Sequence, residues 1–322
     1  MIDDSQDEVR AHSPRISIVV ETANTRPGEY DDVFATIDAL NDQTLARADY
    51  EVLVIVNPEV HSTLAADVRT RAPHVRVVEA PGAYYFPQKN LGAERARAEI
   101  VGYVDSDCTP PRTWAEAMLD AFARHDAQMF AAQGPLFMDP GILTAGFSVR
   151  NFPHQQGSTE CRVAGMAMCN MAVRRADIVA DPFEAIQHFH GSEVKRAARL
   201  REEGRYVLLI PGAACRHRFD PPTFRYFLAR SIYWGYCFLD LRRNAPDTVP
   251  HTRFFRRIGP LAPLVLGPAK AALDIRRMVK LRSHLGLSRL QAAGCAAALV
   301  ASGAAVSIGA FRWVLGQAPP SF

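Results

Sequence analysis

Two aspartates close an apolar segment in the first half of the chain. Asp105 and Asp107 directly follow the short apolar run 100–104, which has the composition of a buried strand. In an extended segment, side chains two residues apart point to the same side, so both carboxylates can approach one point. A divalent cation such as Mg²⁺ or Mn²⁺ would relieve their repulsion and bridge to the phosphates of a nucleotide. A solvated turn is the competing interpretation, because this spacing alone is a weak signal.

Alternating strand and helix patterns lead up to this acidic pair. The strand-like runs are 16–20, 50–56 and 75–78, and the helical patterns are 30–40, about 62–71 and 88–99. This order predicts an α/β domain with a central, mostly parallel sheet, in which ligands bind at the carboxyl ends of the strands. The chain contains neither G-x-G-x-x-G nor a P-loop sequence. If the chain binds a nucleotide, it therefore does so without either of these two phosphate-binding motifs.

Composition limits the class of protein. The chain has 322 residues, of which 48% are hydrophobic and 22% charged, and this excludes disorder, collagen and small disulfide scaffolds. Its net charge of +3 is too small to indicate nucleic-acid binding, and no nucleic-acid-binding module is recognisable. The six cysteines have no metal-binding spacing and are expected to be free thiols. A polar N-terminal segment without a signal-peptide pattern predicts a cytoplasmic catalytic part.

Short motifs follow one another in a fixed order over roughly residues 14–243. They are 16–24, 89–93, 103–107, 168–175, 182–184 and 191–204. No single motif is specific, but their order resembles the inverting family-2 glycosyltransferases, which have the GT-A fold. The resemblance implies that a sugar is transferred from a nucleotide-diphosphate donor, expected to be UDP-linked, to an acceptor hydroxyl with inversion. The expected acceptor is a glycan, a lipid-linked molecule or a small molecule.

The resemblance implies a donor site assembled from several of these segments. The corresponding residues are Thr22, Asn24, Asn57, Lys89, Asn90 and Asp105. Asn57 stands where many members of the family have an acid that reads the base, and this difference leaves the identity of the nucleotide open.

The resemblance also implies a metal site for Mn²⁺ or Mg²⁺. In the family, the acidic pair holds the ribose, the metal and the diphosphate, and in some members a histidine completes the metal shell. Asp105, Asp107 and His217 are the corresponding residues. A structural histidine is the alternative for His217, since Arg216 and Arg218 flank it.

Glu193 is the expected general base. Inversion requires a carboxylate that takes the proton of the attacking hydroxyl, while a metal offsets the charge on the leaving diphosphate. Ser192 replaces one of the two adjacent acids that the family usually has here. The alternative for Glu193 is a favourable contact with the dipole of a helix over 194–203, and Glu184 is the next candidate for the base.

The acceptor side is less legible than the donor side. By the resemblance, the segment 165–172, including Met168 and Asn170, lines the acceptor pocket beside the donor sugar. These residues do not identify the sugar. The oligomeric state is equally open, and a homo-oligomer is compatible with the sequence.

The C-terminal part differs in charge from the rest of the chain. Residues 250–322 contain ten basic side chains and one acidic side chain, and the segment 290–311 is uncharged. That segment could span a bilayer, lie in its interface, or form a small-residue helical pair in a soluble domain. Association with a membrane is favoured because the basic residues cluster on the side expected to stay cytoplasmic.

These patterns divide the chain into three parts: a flexible N-terminus (1–13), a GT-A catalytic domain (14–220) and a helical basic region (221–322) that includes the predicted membrane-associated segment.

Two functions other than glycosyl transfer remain open. A sugar nucleotidyltransferase would show a glycine-rich basic loop after the first strand, which 21–28 does not resemble. A catalytically inactive binding subunit is the second, because Ser192 replaces an acid that the active members of the family usually have.

Overall fold

A sheet of eight strands forms the centre of the computed structural model, which describes residues 13–185, 191–218 and 223–318. The strands of the chain are β1 (Ile16–Glu21), β2 (Tyr50–Val56), β3 (Arg76–Glu79), β4 (Ile100–Asp105), β5 (Cys108–Thr109), β6 (Met129–Gln133), β7 (Leu136–Phe137), β8 (Cys161–Val163), β9 (Asn170–Arg174), β10 (Tyr206–Leu209) and β11 (Cys215–His217). Their order in the large sheet is β3-β2-β1-β4-β9-β6-β10-β8. All run in one direction except β8 and β9. The predicted α/β fold with a mostly parallel sheet is confirmed.

Helices cover both faces of this sheet. They are α1 (Asp31–Asn41), α2 (Leu64–Arg71), α3 (Tyr85–Arg95), α4 (Trp114–Arg124), α5 (Ile142–Asn151), α6 (Arg175–Ala180), α7 (Ser192–Glu202), α8 (Phe224–Asn244), α9 (Thr252–Ile258), α10 (Ala262–Lys280) and α11 (Arg289–Val314). Along β1, Ile18 and Val20 belong to one apolar core and Val19 to the other. Successive side chains of a strand point to opposite faces, so a strand covered on both sides is apolar throughout. The run 16–20 was recognisable for this reason.

The strand registers bring the acidic residues to one edge. Glu21, the last residue of β1, lies beside Asp105 at the end of β4 and beside Ile55 of β2. A second, three-stranded sheet with the order β5-β11-β7 continues from this edge. In it His217 pairs with Cys108, the residue after Asp107. The two sheets together therefore place residues that are more than 100 positions apart side by side.

One helix differs from its predicted bounds. The pattern predicts a helix over 88–99, whereas α3 spans Tyr85–Arg95 and so begins three residues and ends four residues earlier. Beyond it, the amide of Arg97 donates to Glu51 Oε1 (2.8 Å) and the amide of Ala98 donates to Ser17 Oγ (3.0 Å). These buried side chains of β1 and β2 replace the helical acceptors, so the chain leaves the helix early. The predicted N-terminal segment 1–13 lies outside the described residues except for its last position.

The C-terminal helices pack closely on one another. A Cβ atom added to Gly235 of α8 would lie 2.1 Å from the carbonyl oxygen of Val306, and one added to Gly309 of α11 would lie 1.8 Å from that of Ile232. Only glycine permits such an approach of two backbones. The small residues of 290–311 are thus used in helix packing, as one of the three sequence interpretations expected.

A buried ionic cluster joins these helices to the sheet region. Lys270 and Asp274, in the middle of α10, form an ion pair with 2.7 Å between Nζ and Oδ2. Arg150 of α5 lies 3.7 Å from the same carboxylate and donates a hydrogen bond to Ser302 of α11. All four side chains are buried. Regions 14–220 and 221–322 therefore share an interface, and the boundary between them stays a prediction.

A second buried ion pair joins α3 to the end of β4. Lys89 Nζ lies 2.6 Å from Asp105 Oδ1, and the Lys89 side chain is completely buried. Lys89 also donates to the carbonyl of Met168 (3.3 Å). An ammonium group this far from water is tolerated only with a charge partner and hydrogen-bond acceptors, both of which it has here.

We expect the substitution Lys89→Met to lower the free energy of unfolding by about 3–5 kcal/mol, because it leaves Asp105 buried without its cation. Urea denaturation of the metal-free protein at neutral pH measures this change. The control is Lys195→Met, which breaks the partly exposed pair with Glu184 (2.8 Å) and should cost at most about 1 kcal/mol. Equal losses in the two variants would contradict the importance assigned to the buried pair.

Candidate active site

Asp105 lies at the centre of a network at the carboxyl edge of the sheet. Its carboxylate accepts hydrogen bonds from Lys89 Nζ (2.6 Å), from the Tyr85 hydroxyl (3.1 Å to Oδ2) and from Asn24 Nδ2 (3.4 Å). The predicted donor residues Asn24, Lys89 and Asp105 are therefore brought together. Because both oxygens of Asp105 already accept hydrogen bonds, its carboxylate is held rigidly in one orientation.

Glu21 is a member of this network that the sequence analysis missed. Its fully buried carboxylate accepts hydrogen bonds from the amide of Ala23 (2.7 Å) and from Asn24 Nδ2 (3.2 Å). Burial, and then the negative charge of Asp105, raise the pKa of Glu21 well above its usual range, whereas Lys89 opposes this. The apolar run 16–20 ends one residue earlier, so only the register of β1 with β4 reveals the role of Glu21.

Asp107 and His217 form the part of the site that can hold a metal. Asp107 Oδ1 lies 3.7 Å from His217 Nε2 and 3.8 Å from Cys108 Sγ, and the three ligand atoms lie within 4.8 Å of one another. Burial raises the pKa of Asp107, and the charge of His217 opposes this effect. Burial also raises the pKa of the Cys108 thiol well above its usual range, which makes it a poor ligand.

The donor set fits the predicted cation. A carboxylate oxygen and an imidazole nitrogen are ligands that Mn²⁺ accepts, and Mg²⁺ accepts the carboxylate. The structure groups Asp107 with His217, whereas Asp105 is bound by Lys89, Tyr85 and Asn24. A direct contact of Asp105 with the metal therefore stays a prediction.

Thr22 and Asn57 shape the two loops that follow β1 and β2. The hydroxyl of Thr22 donates to the carbonyl of Ile55 (2.8 Å), and its amide donates to Gln88 Oε1 (2.9 Å). Asn57 Nδ2 donates to the carbonyl of Ala83 (3.3 Å). Both side chains are buried and fix the backbone beside the acidic edge.

Asn90 binds the backbone of the segment that precedes Glu193. Its side-chain amide donates to the carbonyl of Phe183 (2.8 Å) and accepts from the amide of Phe183 (3.0 Å). The next amide, that of Glu184, donates to Ser192 Oγ (2.9 Å) at the start of α7. Asn90 and Ser192 thus position this segment, and the donor contact predicted for Asn90 stays a prediction.

Glu193 lies in the first turn of α7 and is partly exposed. Burial raises the pKa of Tyr85 well above its usual range, and the negative charge of Asp105 adds to this effect, followed by smaller contributions that include Glu21 and Glu193. The other candidate base, Glu184, is paired with Lys195. Residues 186–190, just before α7, lie outside the described residues.

Met168 and Asn170 are both buried. Asn170 accepts from Trp114 Nε1 (2.7 Å) and donates to the carbonyls of Pro135 (3.1 Å) and Ala213 (2.9 Å). The structure therefore gives these residues a supporting position behind the site. Contact of their side chains with an acceptor stays a prediction.

Comparison with known proteins gives consistent matches. A curated relative, the glycosyltransferase AglE of Haloferax volcanii, is 27% identical over 197 residues, which cover 59% of this chain and 62% of AglE. The match thus spans less than two thirds of the length of that relative.

Solved structures of glycosyltransferases show the same fold. The mannosyltransferase PcManGT from Pyrobaculum calidifontis, solved with GDP-Man and Mn²⁺, superimposes with a TM-score of 0.56 and 16% identity over 95% of this chain and 88% of its own. GalNAc-T7, solved with UDP, GalNAc and Mn²⁺, gives a TM-score of 0.52 and 12% identity over 76% of this chain and 54% of its own. At these identities the likeness shows the GT-A fold alone.

The sequence profile described as glycosyl transferase family 2 matches residues 17–179. This range extends from β1 to α6, covers half of the chain and includes the acidic edge with Glu21, Asp105 and Asp107. The predicted family is confirmed, and the chain belongs to glycosyl transferase family 2.

Proposed function

We propose that the protein transfers a sugar from a nucleotide-diphosphate donor to an acceptor hydroxyl with inversion. One observation carries this proposal: Asp107 and His217, which can hold a divalent cation, lie at the same edge of the sheet as Asp105. Glu193, in the first turn of α7, is the proposed general base. A general base and a metal site at one edge are the two requirements of this chemistry.

Each residue has one task in the proposed reaction. Asp107 and His217 hold Mn²⁺ or Mg²⁺, which when bound supplies positive charge to the leaving diphosphate. Glu193 takes the proton of the acceptor hydroxyl as its oxygen forms a bond to the anomeric carbon. The bond from that carbon to the diphosphate breaks on the opposite side, and the nucleoside diphosphate leaves. Lys89 holds the carboxylate of Asp105 in one orientation through their ion pair.

The donor nucleotide is proposed to lie over the loops after β1 and β2. Asn24, Asn57 and Thr22 are on these loops, and the buried hydrogen bonds of Thr22 and Asn57 make them rigid. UDP is the nucleotide expected from the sequence, and GDP is the alternative, because PcManGT was solved with GDP-Man and GalNAc-T7 with UDP. No observation favours a nucleotidyltransferase. Ser192 binds the amide of Glu184, so its presence does not require a loss of activity.

We also propose that the C-terminal helices contact a membrane on its cytoplasmic side. Two helical segments, Thr252–Lys280 and Arg289–Val314, are long and apolar enough to cross a bilayer, judged by length and composition. Beyond its first turn, which exposes Arg289 and Gln291, the exposed residues of α11 are apolar: Ala293, Ala297, Val300, Ala304, Ile308 and Phe311. Exposed Leu264, Val265 and Leu273 continue this surface on α10. Exposing an apolar surface of this kind to water is unfavourable, and such surfaces mark sites of contact with a membrane or with another protein.

An orientation in the plane of the interface agrees best with the packing. The Lys270–Asp274 pair in the middle of α10 is buried against Arg150, which belongs to α5 of the sheet region. One side of α10 is therefore covered by the sheet region. Lipid could contact only the opposite side, whereas a spanning helix would be surrounded by the bilayer. Basic residues at the ends of α10 and α11, among them Arg276, Lys280 and Arg289, suit anionic headgroups.

We expect Asp107→Asn to weaken the Mn²⁺-dependent binding of UDP or GDP at least about tenfold, since a neutral amide is a poorer ligand for a hard cation. Calorimetric titrations with Mn²⁺ and with a chelator measure this loss. Asp120→Asn, an exposed change on α4, is the control and should bind as the unchanged protein does. Full affinity in Asp107→Asn would place the metal elsewhere.

We expect Glu193→Gln to lower kcat by about 10²–10⁴-fold while the dissociation constant of the donor stays the same, because only proton transfer is lost. The controls are Glu202→Gln at the exposed end of α7, and Glu184→Gln. Both should retain activity. If Glu184→Gln loses activity and Glu193→Gln does not, Glu184 is the base and the assignment is wrong.

We expect the double substitution Leu264→Asp and Val300→Asp to reduce sedimentation with vesicles of phosphatidylglycerol and phosphatidylcholine at least about tenfold, because each removes an inserted apolar side chain. Val60→Asp, which adds a charge at an exposed apolar position of the sheet region, is the control. Equal partition of the double variant and the unchanged protein would refute the membrane contact.

A further inference from the structure

A pocket of about 300 Å³ lies at the junction of α8, α9, α10 and α11. Leu239, Phe255 and Trp313 are among its apolar lining residues, and Arg242, Arg243 and Arg256 are its basic ones. None of the residues with a predicted donor, metal or catalytic role lines it. Its volume is at the lower end of the range in which proteins bind small molecules.

Arg242 is a buried cation without a charge partner. It is 8% exposed, and its guanidinium group lies 3.3 Å from the ring centroid of Phe238. Nε donates to the carbonyl of Pro250 (3.2 Å) and Nη1 to that of Phe238 (3.2 Å). Within residues 13–185, 191–218 and 223–318, Nη2 has no hydrogen bond and no carboxylate forms an ion pair with this residue. A buried charge in this condition is costly unless an anion binds it.

The burial of Arg242 does not remove its charge. Burial lowers the pKa of its guanidinium to about 9, so it remains protonated at neutral pH. An anion bound beside Arg242 would raise the pKa of its guanidinium again. Because binding and protonation are linked, the protonated form of Arg242 would bind the anion more tightly than the neutral form.

The two neighbouring arginines differ in their pairing. Arg256 forms an ion pair with Asp247 (2.7 Å), a carboxylate that it shares with Arg253 (3.2 Å). Arg243 is exposed at the pocket, 5.5 Å from the ring of Trp313, and has no ion pair among the described residues. The indole Nε1 of Trp313 donates to Asp240 (3.2 Å), which fixes the ring. Arg242 and Arg243 therefore offer two positive charges without ion pairs among the described residues, and the carboxylate of Asp240 lies at the indole nitrogen of Trp313.

Exposed apolar side chains continue from the pocket. Phe254, Leu261, Leu264 and Leu315 are 48%, 61%, 60% and 68% exposed, and they lie on the elements that form the pocket or directly after them. A ligand that contacts both the arginines and these apolar side chains must combine an anionic group with a hydrocarbon part. Guanidinium groups bind phosphate with two parallel hydrogen bonds, which suits the unused donors of Arg242.

We propose that this pocket binds a phosphate group carried on a hydrocarbon chain. The phosphate contacts Arg242 and Arg243, and the chain lies along Trp313 and the exposed apolar side chains. Such a ligand can be a membrane phospholipid or an isoprenoid phosphate, which share this chemistry. The proposal requires neither the metal site nor Glu193, so it can fail while the proposed transfer reaction holds, and the reverse.

The test is a calorimetric titration of the full-length protein in the presence of a chelator. The probes are dihexanoyl phosphatidic acid below its micellar concentration and farnesyl phosphate, which separate the two sources. Inorganic phosphate, farnesol and decanoate are the partial ligands. We expect at least one phosphate amphiphile to bind at least about tenfold more tightly than each partial ligand. Equal binding of inorganic phosphate or of decanoate would overturn the proposal.

Variants locate the binding. Arg242→Met, which keeps an apolar side chain on Phe238, should lower the affinity for the preferred amphiphile at least about tenfold through the loss of a charge-assisted contact. Val314→Trp, which fills the pocket from a partly exposed position, should do the same and covers the case in which Arg242→Met does not fold. Arg257→Met, an exposed change outside the pocket, should have no effect. Unchanged affinity in either of the first two variants would refute the site.

Discussion

The ion pair of Lys89 with Asp105 is the interaction on which the arrangement of the site depends. Three carboxylates, those of Glu21, Asp105 and Asp107, collect at one edge of the sheet, and burial and mutual repulsion raise the pKa of Glu21 and of Asp107. Lys89 is the one lysine inside this network, and it is completely buried. Its positive charge offsets part of the repulsion between these carboxylates, and it lowers the pKa of Glu21 against the effect of burial.

The remaining negative charge defines what can bind. Lys89 pairs with Asp105, while Asp107 lies 3.7 Å from His217, so one lysine stands against three carboxyl groups. A nucleoside diphosphate is itself an anion and could not approach this edge alone. A divalent cation held by Asp107 and His217, as proposed, would allow a diphosphate to bind beside these carboxyl groups.

The C-terminal helices add a second region with its own electrostatics. The cluster of Arg150, Lys270 and Asp274 attaches them to the sheet region, and glycine contacts at Gly235 and Gly309 bring their backbones together. Because their polar groups are used on the inside, an apolar surface remains outside. An anionic amphiphile bound there, as proposed, would contact Arg242 with its anionic group and this apolar surface with its hydrocarbon part.

The sequence by itself determined the alternation of strands and helices, the family, and the position of Asp105 and Asp107 at a strand end, because these depend on local periodicity and short motifs. It did not show Glu21 or Tyr85 as site residues, the early end of α3, or the supporting positions of Asn90 and Asn170. Those depend on strand register and on hydrogen bonds between residues far apart in the chain. The family resemblance already grouped His217 with Asp107, and the structure supplies their distance; the contact of Arg150 with Asp274 is seen only in the tertiary structure, because it leaves no periodic signal in the sequence.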